Sequence, residues 1–406
     1  MPTRTAYSCS AAASTTDPVP HVYLVAGEAS GDELGARLIR ALVAETAETI
    51  RLDGVGGPRM EAAGLTPLFP ADEIALVGIA EVLPRVPRIL RRLRSVEAHV
   101  RALRPDAVVT IDAPGFNFRL GARLRGEGIP LIHYVAPTVW AWKPGRARKI
   151  ARFLDRMLTL FPFEPPYFER EGLPATFVGH PVVETPVPEP PPSFHQRWGI
   201  SADAPVLLVL PGSRAGEVHR LAPRFASCAR MLLQHRNNLR IVIGVAPGRK
   251  RQVEAAFSGL PAILVDGDAD KRRWYAAADV ALAASGSVTL ELARCRTAMV
   301  VAYRMAPVSW EIVRRMATIK YASLINVMQD AEAIPEFLQW SCRPDRLARA
   351  VDSLLQSPEA RARQIDVTSA AIEDLRNGDL PPSQRAARAI LATLDPQPAP
   401  QKGEKR

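Results

Sequence analysis

The sequence predicts two doubly wound α/β domains joined by a proline-rich linker, and three observations carry that expectation. Short apolar runs of strand length alternate with segments of helical spacing, first over 21–183 and again from about 199. Between them lies 184–192, ETPVPEPPP, which can continue neither a helix nor a central strand. Turns rich in glycine, serine and aspartate follow several strands directly, where open parallel sheets bind their ligands.

Composition sets the bounds. The chain has 406 residues, 47% of them hydrophobic and 23% charged, which suits two globular domains with sizeable cores. A net charge of +10, from 52 basic and 42 acidic residues, favours anionic partners without choosing among nucleic acid, acidic lipid and phosphorylated substrates. Cys9, Cys228, Cys295 and Cys342 form no CxxC pair, so neither a disulfide framework nor a thiolate metal site is expected, and a reducing compartment is. No apolar run reaches the roughly 18 residues of a spanning helix. Residues 1–20 lack an apolar core of signal-peptide type and read as a disordered tail.

In chain order, His21–Ala26 is the first strand, and Gly27 to Asp32 turn into a helix from about Glu33, with Ser30 and Glu33 at capping-box spacing. The glycines at 27, 31 and 35 do not make the dinucleotide fingerprint. A second strand spans Arg51–Val55. Ile74–Ile79, IALVGI, is an uncharged apolar patch containing Val77, and an amphipathic helix follows whose polar face carries Arg88, Arg91, Arg92 and further arginines. That pairing suits docking on an anionic lipid surface and equally a helix packed on the sheet with a solvated charged face. Nucleic acid is not expected, since no aromatic residues interleave with the arginines.

Asp106–Ile111 is the next strand, and Asp112 stands at its carboxyl end, better placed for chemistry than a carboxylate within a helix, or else a turn aspartate before Pro114. After the strand Pro130–Val135, a loop carries Trp140 and Trp142, two of six tryptophans, and reads as a binding face. Met157–Phe161 and Ala175–Val178 close the first domain. The expected organisation is a tail at 1–20, a first domain at 21–183, a linker at 184–198, a second domain at 199–357, helices at 358–395 packing back on the domains, and a tail at 396–406.

The second half alternates strands at 205–210, 240–245, 262–265, 279–284 and 298–302 with helices, then turns mainly helical beyond 303. Gly212, Ser213 and Arg214 turn from strand into helix, gathering backbone N–H groups beside a guanidinium fork. Taken alone, this is equally an ordinary βα connection. Ser285, Gly286 and Ser287 make a second such turn, and Glu291 in the following helix can accept from the two hydroxyls of a ribose or simply complement the helix dipole. Together the two turns suit a nucleotide diphosphate. Asp266 to Asp270 fail the calcium-loop pattern and no histidine pair has ligand spacing, so no metal and no cofactor is expected.

AGEASGD at 26–32, IDAPGFNF at 111–118, HYVAPTVWAWKPGR at 133–146, VGHP at 178–181, LPGSRAGEV at 210–218, ASGSVTLELA at 284–293 and VAYRM at 301–305 resemble, in order, the lipid-A-disaccharide synthases. The resemblance implies a GT-B fold, two Rossmann-like domains facing across a cleft, and an inverting, metal-independent glycosyltransferase. Its implied substrates are UDP-2,3-diacylglucosamine and 2,3-diacylglucosamine 1-phosphate, joined at the cytoplasmic face of a Gram-negative inner membrane. Asp112 then matches the family's essential aspartate, Arg214 the arginine at the donor phosphates, Glu291 the ribose glutamate, and Asn326 the donor-side asparagine, here in Ser-Leu-Ile-Asn rather than Ser-Leu-Pro-Asn. Glu28, Ser30, Trp140, Trp142, Ile74, Val77, Arg88, Arg91 and Arg92 fall to the acceptor and lipid side. Another UDP-sugar transferase or an epimerase would use the same second-half loops without the lipid-facing surface, and a mere binder would not need Asp112.

Overall fold

The computed structural model describes residues 19–74, 79–142, 145–191, 193–201 and 203–394, with only the backbone described for 79–85, 142 and 268. Seven strands make the first sheet: β1 (His21–Ala26), β2 (Arg51–Val55), β3 (Thr66–Pro67), β4 (Ala107–Ile111), β5 (Leu131–Tyr134), β6 (Arg156–Thr159) and β7 (Ala175–Phe177). Six make the second: β8 (Val206–Leu210), β9 (Arg240–Val245), β10 (Ala262–Asp266), β11 (Val280–Ala284), β12 (Ala298–Tyr303) and β13 (Glu336–Leu338). All pairings are parallel. Helices cover both faces, so central strands such as β8 and β11 are apolar and buried along their whole length.

The strand orders position the chemistry. The first sheet runs β3-β2-β1-β4-β5-β6-β7 and the second β10-β9-β8-β11-β12-β13. Each order reverses between two adjacent central strands, β1 and β4 in one and β8 and β11 in the other. Loops leaving such a pair diverge to opposite faces and open a crevice at the carboxyl edge. Gly27–Ser30 and Asp112 leave the first pair; Gly212–Arg214 and Ser285–Ser287 leave the second.

One apolar cluster joins the halves, with Leu24 and Leu38 from the first, Leu208 and Leu290 from the second, and Ile390 from the last helix. After 357 the chain returns: helix Pro358–Asp374 packs on Val288–Arg294, and helix Pro382–Leu394 packs on Ala29–Glu45 of the first half. Arg388 and Glu45 pair across that last contact at 2.9 Å.

One local expectation is corrected, and one gains a detail. The first helix begins at Ala29, with Glu28 at its N-cap, so Ser30 and Glu33 do not form a capping box. Ser30 Oγ instead donates to Asp112 at 3.4 Å, and Glu33 pairs with Arg37 and Arg59. Beyond residue 303 the chain is mainly helical, as expected, with β13 added as a three-residue edge strand beside β12.

Candidate active site

Gly212 sets the shape of the loop after β8. Its φ of +108° lies where L side chains are strained, and a Cβ there would stand 3.0 Å from both Cβ and Oε2 of Glu217. That close approach lets Glu217 accept the backbone N–H of Arg214 at 3.3 Å. The Arg214 guanidinium reaches Glu217 Oε1 at only 3.4 Å and stays 83% exposed, so most of its donor capacity faces outward. After β11, Ser285 N–H donates to Ala302 O and its Oγ to Ala322 O, both at 3.0 Å, which fixes the start of the second turn.

These loops enclose a cavity of about 310 Å³. Gly212, Ser213, Arg214, Ser285, Gly286, Ser287 and Glu291, seven of the eight residues expected on the donor side, all line it. Lys271 and Tyr275 line it as well, and were missed. They lie in DADKRRWY, where the charge pattern reads as a helix cap; the signal available was that this helix follows the carboxyl end of β10.

Across the cleft, Asp112 and Ala113 are both left-handed, with φ of 50° and 43°. Two such residues in succession cost on the order of 1–3 kcal/mol each and persist only where neighbours hold them. Asp112 N–H donates to Tyr134 O at 2.9 Å, and the buried Asn117 Nδ2 donates to the carbonyls of Asp112 at 2.8 Å and Ile111 at 3.1 Å. The turn lifts the half-buried Asp112 carboxylate off the sheet edge toward Ser30. Burial and the Asp112 charge push the Glu28 carboxyl above its ordinary range, while Arg214 from the other half pulls it back. The two sides of the cleft therefore share one electrostatic neighbourhood.

A second cavity, about 200 Å³, lies between the halves and is lined by Ser30, Leu34, Arg37 and His180 from one side and Arg272, Ser287 and Glu291 from the other. Ser287 and Glu291 border both cavities, so the crevice between the β8 and β11 loops continues toward Ser30, the hydrogen-bond partner of Asp112. His180 and Asp32, each in a motif, are structural. His180 Nδ1 accepts from Val182 N–H at 3.1 Å, and burial holds its pKa down to about 3, so the ring stays neutral. Asp32 accepts three backbone N–H groups, from Gly57, Arg59 and Met60, at the start of the next helix.

The lipid side departs most from expectation. Ile74 is 2% exposed and belongs to the core under β1, so it presents nothing to lipid. Trp140 is buried too, in the short helix Val139–Trp142 rather than a loop, with Nε1 donating to Glu164 at 3.1 Å. An indole whose N–H finds a buried acceptor is a packing element. Arg92 is engaged by Glu73 through two hydrogen bonds and lies 4.4 Å over the Phe69 ring. Arg88 and Arg91 are exposed on the helix Ile79–Leu103. Val77 and the Trp142 side chain lie outside the described residues.

Residues 22–390 match the family model described as lipid-A-disaccharide synthetase. The chain belongs to the lipid-A-disaccharide synthase family. It is 52% identical over 378 residues to the lipid-A-disaccharide synthase of Rhodospirillum centenum, covering 92% of this chain and 94% of that one. Against the lipid-A-disaccharide synthase of Paramagnetospirillum magneticum the identity is 44%, over 91% and 96% of the two chains. The fold is shared with the kitacinnamycin glycotransferase (TM-score 0.60, 19% identity, 93% of this chain and 100% of that one). It is also shared with the Neisseria meningitidis UDP-GlcNAc 2-epimerase bound to UDP-GlcNAc (TM-score 0.58, 12% identity, 93% and 100%). Membership makes this a GT-B glycosyltransferase of lipid A biosynthesis, an enzyme rather than a binder.

Asn326 is not where the motif comparison put it. It is fully buried, with Nδ2 donating to Ile334 O at 2.8 Å and Oδ1 accepting Ile334 N–H at 2.9 Å. Both ends of the amide hold the Ile334 backbone and the side chain also bonds the Glu336 carboxylate, so Asn326 clamps the loop before β13 and lines neither cavity. Among the described residues no group of three or more His, Cys, Asp and Glu side chains could hold a metal, and no helix is long and apolar enough to cross a membrane.

Proposed function

We infer that the chain transfers a 2,3-diacylglucosamine unit from UDP to the 6-hydroxyl of 2,3-diacylglucosamine 1-phosphate, giving the β-1,6-linked disaccharide 1-phosphate and UDP. The observation that carries this reading is the continuity of the two cavities through Ser287 and Glu291, with Arg214 at one end and Ser30, which donates to Asp112 at 3.4 Å, at the other. Asp112 takes the proton of the acceptor hydroxyl as its oxygen attacks the anomeric carbon from the face opposite UDP. The carbon–oxygen bond to UDP breaks with its electron pair, and the new bond has inverted configuration. Arg214 and the Ser285–Ser287 turn carry the charge that grows on the departing diphosphate. Glu291 accepts from the ribose hydroxyls, and Ser30 orients Asp112.

The apolar chains of both substrates imply work at an anionic inner-membrane surface, with Arg88 and Arg91 among the exposed arginines that can meet lipid phosphates. Incubation with the two acylated substrates tests the transfer. It is expected to release UDP and the disaccharide 1-phosphate in equal amounts, with no added metal. UDP release without disaccharide, or epimerised donor, would remove the reading.

A further inference from the structure

The helix Pro307–Met316, in the half that carries the cavity between the β8 and β11 loops, has no buried residue. Val308 is 74% exposed, Ile312 54% and Met316 37%, and their spacing of four places them along one face. The loop entering this helix is tied to Gln339, whose Oε1 accepts Met305 N–H at 3.1 Å and whose Nε2 donates to Met305 O at 3.0 Å. That brings the adjacent Trp340, 66% exposed, to the foot of the helix, with the Arg304 guanidinium 5.4 Å over its ring. Four of the eight large apolar side chains exposed among the described residues therefore fall in the single stretch 308–340. Soluble surfaces scatter such residues singly; clustering marks a contact face.

Charge and position say what covers it. Arg314 and Arg315 share one carboxylate, Glu311, each at 3.0 Å, so the helix keeps net positive charge beside its apolar stripe. An apolar face, flanking arginines and an exposed tryptophan compose the pattern of a helix lying in a bilayer interface. A second copy of the chain would set these arginines against their own images, whereas an anionic lipid surface neutralises them. The helix follows β12 and so starts at the carboxyl edge of the second sheet. Just after it, Thr318 N–H donates to Ala141 O at 2.9 Å, in the helix that leaves β5 at the carboxyl edge of the first. The stripe thus stands at the rim of the cleft.

We propose that the Pro307–Met316 helix and Trp340 form a docking surface for an anionic lipid bilayer, a second membrane contact supplied by the nucleotide-side half. It needs none of the first-half arginines, because it lies wholly in the nucleotide-side half.

Flotation of the full chain with vesicles of phosphatidylcholine, alone or mixed with phosphatidylglycerol, tests this without any sugar substrate, so its outcome is separate from that of the transfer reaction. The double variant Ile312→Asp, Met316→Asp is expected to lower partitioning about tenfold or more on both vesicles. Arg314→Glu with Arg315→Glu is expected to lower it about tenfold on the anionic vesicles alone and to remove most of its salt sensitivity. With no buried side chain on this helix, melting temperatures should hold in both. Unchanged partitioning of both variants overturns the proposal. So does a wild-type dimer that either variant turns into a monomer in sedimentation velocity, which assigns the stripe to a second copy.

Discussion

Replacing Gly212 by Ala probes the donor loop through one added methyl. The new Cβ would sit at φ +108° and 3.0 Å from both Cβ and Oε2 of Glu217. A non-glycine residue in this region carries on the order of 1–3 kcal/mol of strain. Relief requires Glu217 to retreat, which breaks its 3.3 Å acceptance of Arg214 N–H and its 3.4 Å contact with the guanidinium. Losing one well-aimed charge-assisted contact to a diphosphate is worth about 1.5 kcal/mol, or roughly tenfold in UDP affinity. Titration calorimetry with UDP and a thermal melt read the two effects together. The expected result is a Kd raised about tenfold and a melting temperature lowered by a few degrees. Gly286→Ala is the steric control, since a Cβ there meets nothing within 4 Å and stability should hold. Wild-type Kd and melting temperature for Gly212→Ala would refute the role given to this loop.

Asn326→Ala leaves Ile334 N–H and C=O buried without their partner, so it should cost about 2–4 kcal/mol in a denaturant titration while UDP affinity stays within about twofold. A selective loss of UDP binding would return Asn326 to the donor site. Asn117→Ala removes the amide that holds the Asp112–Ala113 turn, and is expected to lower kcat more than it raises the KM for donor; the reverse split would mean the turn holds itself. Burial raises the Glu164 carboxyl from 4.5 to about 7, against the pull of the N–H groups of Phe161, Trp140 and Leu160. The folded state then holds a proton that the unfolded chain releases, so this group's stability contribution is complete below pH 4.5 and is lost as pH rises through 7. The loss is on the order of 3 kcal/mol, and Glu164→Gln should flatten the measured stability profile between pH 5 and 8. A profile of unchanged slope would contradict it.

The strands that were plain in the sequence are those whose whole length is buried. Val206–Leu210 and Val280–Ala284 are continuous apolar runs because helices cover both faces of their sheet. The edge strands Thr66–Pro67 and Glu336–Leu338 carry no such mark, being two and three residues long, the first exposed and the second half-buried. Glycines and short polar turns after strands pointed to six cavity residues, and the helix start after one turn to a seventh, Glu291, since a turn that must admit a ligand has its own local chemistry. What local chemistry cannot announce is a partner distant in the chain. Trp140 reads as a binding residue until Glu164, 24 positions on, is seen to accept its N–H. Asn326 likewise resembles a ligand contact until Ile334 takes both ends of its amide. Ile74 looks exposed in an apolar patch, yet the β1 face needs that side chain as its cover. Lys271 and Tyr275 were hidden for the opposite reason, because a charged helix start has a sufficient structural explanation of its own.

The central claim is that Asp112 performs the proton transfer at a cleft whose donor side works without it. Asn at 112 preserves the size of the side chain and leaves Ser30 Oγ an oxygen to donate to, while removing the basic carboxylate. The decisive measurement is disaccharide 1-phosphate formation by Asp112→Asn from the two acylated substrates, alongside UDP affinity of the same preparation. The expected result is a kcat lower by about 10²- to 10⁴-fold with the UDP Kd within about twofold of wild type. Near-wild-type turnover, or a parallel collapse of UDP binding, would contradict it.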